Sequence, residues 1–269
     1  MGLRKNISSL LSKYLLSRGV FTTQRTNLQD LKDFFKITYP SKLEVENIRI
    51  GGENDGGYII PNDFAGIKYC FSPGVGNLFN FERDLTKKSI KCFLADYSVD
   101  FKTDNELIDF DKKFIGPVTK DKFINLKDWI CSKIDYENNN DLILQLDVEG
   151  DEYDIINSID ENTLKKFRII LVEFHQLHYL FDSFLFKKIK SAFSILNKFF
   201  YCTHIHPNNN PEIIVKQGNI VIPPVLEFSF LRRDRSRITE GKLHFPSDLD
   251  QPNNKNKLDL KLPKCWFRQ

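Results

Sequence analysis

The chain has 269 residues, with 39 Lys and Arg against 36 Asp and Glu. A net charge of +3 excludes a protein that coats a polyanion, whose basic surplus would be larger and clustered, so no nucleic-acid partner is expected. Apolar content of 41% with 28% charge excludes a disordered chain, and the length suits one α/β domain with added elements.

No apolar run approaches the ~20 residues of a membrane-spanning helix. The longest, Phe167 to Phe174, is interrupted by Arg168 and Glu173. The N-terminus has no apolar stretch followed by a small-residue cleavage site, so no signal peptide is expected. Met1-Gly2 opens like a myristoylation signal, but Asn6 stands where Ser or Thr belongs. Cys70, Cys92, Cys131, Cys202 and Cys265 are odd in number, scattered and free of any C-x-x-C. They indicate neither a zinc ribbon nor a disulfide framework, but reduced, mostly buried thiols in a cytoplasmic protein.

Residues 3–38 carry two helical stripes, Leu10, Leu11, Tyr14, Leu15 and Leu16, then Leu28, Leu31, Phe34 and Phe35. They predict an N-terminal helical extension over 1–40, packed on the body or joining two copies of the chain. Val45 to Ile50 alternates like a strand, Gly51 to Gly57 is a glycine-rich turn, and Tyr58 to Ile60 resumes the strand, which predicts a β-hairpin. Strands and helices then alternate. Strands are expected at Lys68–Ser72, Ile90–Ala95, Lys113–Val118, Asp141–Leu146 and Arg168–Glu173. Helices are expected at Phe79–Lys88, Leu126–Ile134, Tyr153–Ile159, Glu161–Lys166 and Phe184–Phe199. Late strands follow near Tyr201–His206, Ile220–Ile222 and Leu226–Leu231. This alternation predicts an α/β fold with a doubly wound, mostly parallel sheet over 41–245 and ligands at the carboxyl ends of its strands. Residues 246–269, with Pro, Asn and Lys between Pro246 and Pro263, predict an irregular C-terminal arm.

Gly74-x-Gly76 follows a strand and precedes a helix, where a bare backbone lets a cofactor approach the helix N-terminus. Asp96 ends the next strand, where a carboxylate accepts from both hydroxyls of a ribose. Together they indicate an adenosine-type cofactor. The third glycine of a dinucleotide fingerprint is replaced by Phe79, which fits a cofactor without a pyrophosphate.

Arg49-Ile50-Gly51-Gly52-Glu53-Asn54-Asp55-Gly56-Gly57-Tyr58, Ser72-Pro73-Gly74-Val75-Gly76-Asn77, Phe81-Glu82 and Leu146-Asp147-Val148-Glu149-Gly150-Asp151-Glu152 together resemble the FkbM-type methyltransferases over about residues 45–235. The resemblance implies a class I, Rossmann-like, S-adenosylmethionine-dependent O-methyltransferase, of a kind that acts on sugar or other hydroxyls in secondary metabolites and in surface polysaccharides such as capsule or lipopolysaccharide. By position, Gly74, Val75, Gly76 and Asn77 would form the cofactor loop. Asp96 would hold the ribose, Tyr97 and Ser98 would border the adenine, and Asp147 and Val148 would floor the methionine sulfonium. Gly52, Asp55, Gly56 and Tyr58 would cover the methionine end. Ser72 stands where class I enzymes commonly carry an acid, so Asp55 or Glu82 is left to meet the cofactor's ammonium group.

A sugar hydroxyl is a poor nucleophile and needs a base or a metal. Asp147 and Glu149, Glu173 and His175, and His204 and His206 stand near three strand ends with spacing two, so each pair faces one side of an extended chain. His175 is the expected general base, aided by Asp147. Glu149, His178, His204, His206, Asn208 and Arg232 are candidates for the substrate, and Arg232 for a phosphate on a nucleotide-linked sugar. A mixed Asp and His set suits a divalent ion. With no H-x-x-x-H or cysteine set, a metal is not favoured. The rival readings are a nicotinamide-dependent oxidoreductase and a non-catalytic cofactor-binding subunit.

Overall fold

The computed structural model describes residues 13–19, 23–76, 78–210 and 214–268. Residues 13–17 are helical, with Tyr14 and Leu16 exposed; Leu10 and Leu11 lie outside the described residues. Helix α1 (Leu28–Thr38) starts where the Asn27 side chain accepts from Gln29 N–H, a local N-cap bond. Its Leu31, Phe34 and Phe35 enter the core, and Leu28 stays exposed.

Strands β1 (Asn47–Ile50) and β2 (Tyr58–Pro61) form the expected antiparallel hairpin. Then come β3 (Tyr69–Pro73), α2 (Asn80–Thr86), β4 (Lys91–Ala95) and β5 (Ile108–Asp111). β6 (Phe114–Gly116) and β7 (Phe123–Asn125) pair with each other alone, ahead of α3 (Leu126–Lys133). β8 (Leu142–Leu146), α4 (Glu152–Ser158), α5 (Glu161–Lys165), β9 (Phe167–Phe174), α6 (Leu185–Phe199) and β10 (Phe200–Pro207) follow. A small hairpin of β11 (Val215–Gln217) and β12 (Ile220–Ile222) leads to β13 (Leu226–Arg232).

The central sheet has seven strands in the order β10-β13-β9-β8-β3-β4-β5. β5, β4, β3, β8 and β9 run parallel. β13 inserts antiparallel between β9 and β10, so the mostly parallel sheet carries one reversed strand. β8 and β9 are buried along their whole length, as strands covered on both faces must be. One face packs α1, α6 and Trp266 around Phe34, Phe193 and Phe228. The other packs the β1–β2 hairpin and α2. Trp266 therefore anchors the C-terminal segment in the core.

One strand expectation is corrected. The third parallel strand is Ile108–Asp111, and residues 114–116 leave the sheet to pair with β7. Asp109 and Asp111 look like solvated residues in sequence, but Lys133 pairs with both and Trp129 Nε1 donates to Asp111. Ile220–Ile222 lies in the small hairpin, and the sheet strand is β13. No helix among the described residues is long and apolar enough to cross a membrane.

At the amino ends of the strands, arginines and aspartates pair in a network. Buried Arg168 contacts Asp63 at 3.3 Å and Asp141 at 2.9 Å, Arg232 meets Asp141 at 2.6 Å, and Arg235 meets Asp63 at 2.8 Å. Arg168, with Arg232, holds the Asp141 carboxyl down at about 2 against an ordinary 3.8. The stability this supplies is complete above 3.8 and lost as pH falls through about 2, because the unfolded chain then no longer binds more protons than the folded one. Asp141→Asn should cost roughly 1–3 kcal/mol at neutral pH. Thermal unfolding should show the gap between parent and variant closing as pH falls toward 2.

Candidate active site

The sheet order reverses direction at β3, whose neighbours are β4 and β8, and such a switch point opens a crevice at the carboxyl ends of the strands. Gly74 leaves β3 with φ +86°, and a Cβ there would lie 1.4 Å from the Asp147 carbonyl oxygen. The glycine is required by contact between two strand ends, and Asp147 N–H donates to Pro73 O at 3.2 Å while Gly74 N–H donates to Ala95 O at 2.9 Å. Gly76 faces open space. A cleft of about 420 Å³ lies beside these strand ends, between Asp96 and Ser98 on one side and Asp147, Val148, Glu149 and Asp151 on the other.

Asp96 is buried and held in place. Ser98 donates to its Oδ1 from N–H at 2.7 Å and from Oγ at 2.6 Å, and Gly76 N–H reaches Oδ2 at 3.2 Å. Phe114, Ile115 and Phe123 give the cleft an apolar wall, and Tyr97 leans on Phe114 from the rim under Lys122. A fixed carboxylate next to an apolar slot fits a nucleoside, with hydroxyls toward Asp96 and a flat base against the rings. The sequence reading missed the three wall residues. Phe114 and Ile115 fell in the expected strand Lys113–Val118 and Phe123 in a stretch left unassigned before the helix, and nothing in the sequence marked the three as a cleft wall.

The far end of the cleft is acidic. His175 ends β9, and its Nδ1 lies 3.0 Å from Oε1 of Glu152, a side chain with 0% exposure. That oxygen also accepts from Gly150 N–H at 2.9 Å and Val148 N–H at 3.3 Å. Tyr153 Oη donates to His175 O at 2.6 Å. Nε2 of His175 faces Glu149 at 3.3 Å, Glu173 at 3.6 Å and Asp147 at 3.9 Å. Burial alone would lower the imidazole pKa, but Glu152, then Asp147 and Glu149, outweigh it and hold it above its ordinary value. Burial, reinforced by Glu173, pushes Asp147 well up; burial, reinforced by Glu227 and Asp55, does the same to Glu173.

Several expected residues are placed elsewhere. Arg232 sits at the amino ends of the strands, paired with Asp141 and Asp234 and bonded to Lys165 O, so it stands away from the cleft. His204 and His206 share Oδ1 of Asp250 at 2.8 and 3.1 Å. They clasp the C-terminal segment rather than face a substrate. His178 lies in a 3-10 turn against Tyr179, and burial lowers its pKa. Asn208 donates to Glu173 Oε1 at 2.9 Å and backs that carboxylate. The Gly51–Gly57 turn packs on the start of α2, with Gly51 N–H on Asp84, and Asp55 N–H donates to Asn253 O. Gly52 is exposed and Gly56 half-buried in this turn. Asn77 lies outside the described residues.

Residues 121–200 match the family model of the methyltransferase FkbM domain. The matched FkbM segment runs from β7 through α6 and carries both the Asp147–Glu152 turn and the Glu173-Phe174-His175 strand end. Gly74 and Asp96 precede it. The match supports a methyltransferase. No curated protein matches the chain significantly.

Glu82 is corrected most sharply. It has 3% exposure and points into the core, where it is bonded to Ser72 Oγ. Ser72 Oγ also bonds Gln145 Oε1 at 2.6 Å, and Gln145 Nε2 donates to the buried Tyr58 hydroxyl at 3.1 Å. Ser72 Oγ donates to the Glu82 carboxyl, which is thereby held inside this buried polar cluster. Burial pushes that carboxyl up to about 7. An acid sealed in the core stands away from the cleft. The folded state thus holds a proton that the unfolded chain releases, so stability falls as pH rises from 4.5 through about 7. Glu82→Gln keeps an acceptor for Ser72 but removes the titrating group, and should remove this slope. Urea midpoints of parent and variant should diverge in the variant's favour as pH rises from 4.5 to about 7, and profiles that stay parallel across that window would refute the raised carboxyl.

Proposed function

We propose that the chain is an S-adenosylmethionine-dependent O-methyltransferase whose acceptor is a sugar hydroxyl, on a nucleotide-activated sugar or a surface-glycan precursor. One observation carries this reading: the nucleoside-shaped cleft and the acidic sheet edge share Asp147, so a cofactor in the first abuts an acceptor at the second. S-adenosylmethionine bound in the cleft supplies a methyl group already activated on a sulfonium. Asp96 binds the ribose hydroxyls. Gly74 to Gly76 and Val148 bring backbone and a small apolar surface against the cofactor, Phe114 and Phe123 hold the base, and Asp55 remains the carboxylate for the ammonium group.

The chain's remaining tasks are alignment and activation of the hydroxyl. Glu152 occupies Nδ1 of His175, so Nε2 is the ring nitrogen left for activating the acceptor. Glu173 Oε2 and Asn253 Oδ1 are buried acceptor atoms without a donor, which suits a ligand rich in hydroxyls.

Asp96→Ala should weaken S-adenosylhomocysteine binding about tenfold or more, since each lost bond to a charged acceptor is worth roughly 1.5–3 kcal/mol. Calorimetric affinity unchanged in that variant would sink the ribose assignment. His175→Ala should lose roughly 10²–10⁴-fold in turnover on the acceptor and keep S-adenosylhomocysteine binding. A loss below tenfold would leave alignment, not activation, as the main contribution of the sheet edge.

A further inference from the structure

We propose that Asp147, Glu149 and Nε2 of His175 bind a divalent cation of the Mn²⁺ type, which takes up the acceptor hydroxyl. The donor atoms of these three residues all lie within 4.8 Å of one another. Ligand atoms that share one ion at ~2.1 Å stand ~3.0–3.5 Å apart. Nε2 lies 3.3 Å from Glu149 and 3.9 Å from Asp147, the second too long for a hydrogen bond, and both close to a coordination shell that needs a small contraction.

Two independent observations point to a ligand here. Asp147 Oδ1, the atom facing His175, is sealed from solvent and has no hydrogen-bond partner. Glu173 has 6% exposure, presents Oε1 to the same Nε2 at 3.6 Å, and its Oε2 is also sealed and without a partner. Buried carboxylate oxygens left without donors are costly unless a cation or donor comes to them. The imidazole is already prepared. Its other nitrogen faces buried Glu152, the carboxylate–histidine arrangement that fixes the tautomer and raises the basicity of a metal-ligating histidine.

Charge points the same way. Asp147, Glu149, Glu152 and Glu173 surround one imidazole, with Glu227 and Asp55 next to Glu173. The cationic groups beyond His175, Arg49 and His206, act on Glu227. One imidazole ligand among carboxylates suits Mn²⁺ and its neighbours in the first transition row better than Mg²⁺. Glu149 is 85% exposed, so the ion is reached from the cleft mouth and keeps open positions. A sugar hydroxyl in one of them becomes more acidic and gives its proton to water at that mouth.

The second acid–histidine set, His204, His206 and Asp250, differs in this respect. Asp250 Oδ1 holds both imidazoles at hydrogen-bond distance and Asp250 Oδ2 accepts from Ser247 N–H at 2.6 Å, so both carboxylate oxygens are satisfied and His206 Nε2 is left without a partner. It closes a structural clasp.

The role assigned to the ion rests on the methyltransferase reading, whereas the site itself does not. The test is titration of chelator-treated full-length protein with Mn²⁺, following the spectrum of the free ion by electron paramagnetic resonance without cofactor or acceptor. One ion per chain should bind at sub-millimolar concentration. Glu149→Gln, on an exposed side chain that the fold does not need, should weaken binding at least tenfold, and Glu152→Gln should weaken it by about 10–100-fold through the imidazole. His204→Asn should leave it unchanged. No binding at millimolar Mn²⁺, or binding that responds to His204→Asn and ignores Glu149→Gln, overturns the site. S-adenosylhomocysteine calorimetry on the same chelated protein separates the two claims. Cofactor binding without Mn²⁺ binding keeps the methyltransferase reading alone, and Mn²⁺ binding without cofactor binding keeps the metal site alone.

Discussion

The close contact between Gly74 and the Asp147 carbonyl governs the rest of the site. Two parallel strands, β3 and β8, end together there, and no side chain fits between them. The contact carries hydrogen bonds outward on both sides, from Gly74 to Ala95 of β4 and from Asp147 to Pro73 of β3. Three strand ends are thereby locked in one register. Asp96 follows directly from β4 and the Asp147–Glu152 turn from β8, so the Asp96 carboxylate and the acidic edge are held at a fixed separation by backbone alone. Such rigidity suits a reaction in which alignment supplies most of the rate.

Glu152 carries that order one step further. A fully buried carboxylate is tolerated only when donors surround it. Glu152 meets this requirement with two backbone N–H groups of the turn and with Nδ1 of His175. One side chain thus fixes the position of Val148 beneath the cofactor cleft and the orientation of the imidazole beside it. The left-handed backbone at Glu149 and at Gln176 lies on either side of this junction. Strain of that kind persists where surrounding bonds over-determine it.

Much of this was legible in the sequence, and the failures have physical causes. β3, β4, β8 and β9 read correctly because strands buried on both faces are short continuous apolar runs. Gly74, Asp96, Asp147 and His175 read as a group because each follows such a run. Ile108–Asp111 was missed because Asp109 and Asp111 resemble surface residues, and their partners Trp129 and Lys133 lie a helix away. His204 and His206 do share one face, as spacing two requires, but the face is filled by Asp250, 46 residues beyond His204. Glu82 looked like a first-turn acid beside a cofactor loop, and only packing shows that the side chain turns inward to Ser72. Arg232 looked free until Asp141, at the foot of β8, was seen to hold it. In each case the residue type was read correctly and its partner was not, because tertiary partners leave no periodic trace.

The two ends of the sheet treat charge in opposite ways, and the contrast bears on function. At the amino ends, Arg168, Arg232 and Arg235 are matched by Asp63, Asp141 and Asp234. Every buried charge there has a partner, which is what stability alone demands. At the carboxyl ends, Asp147, Glu149, Glu152 and Glu173 converge on a single imidazole, although the chain as a whole carries a surplus of three positive charges. Arginine was available to this fold and pairs acids well elsewhere in it. An imbalance confined to the edge where the cleft opens, with carboxylate oxygens sealed and without donors, costs stability that the opposite edge shows to be avoidable. Such a cost is sustained where a ligand brings the missing positive charge or the missing donors.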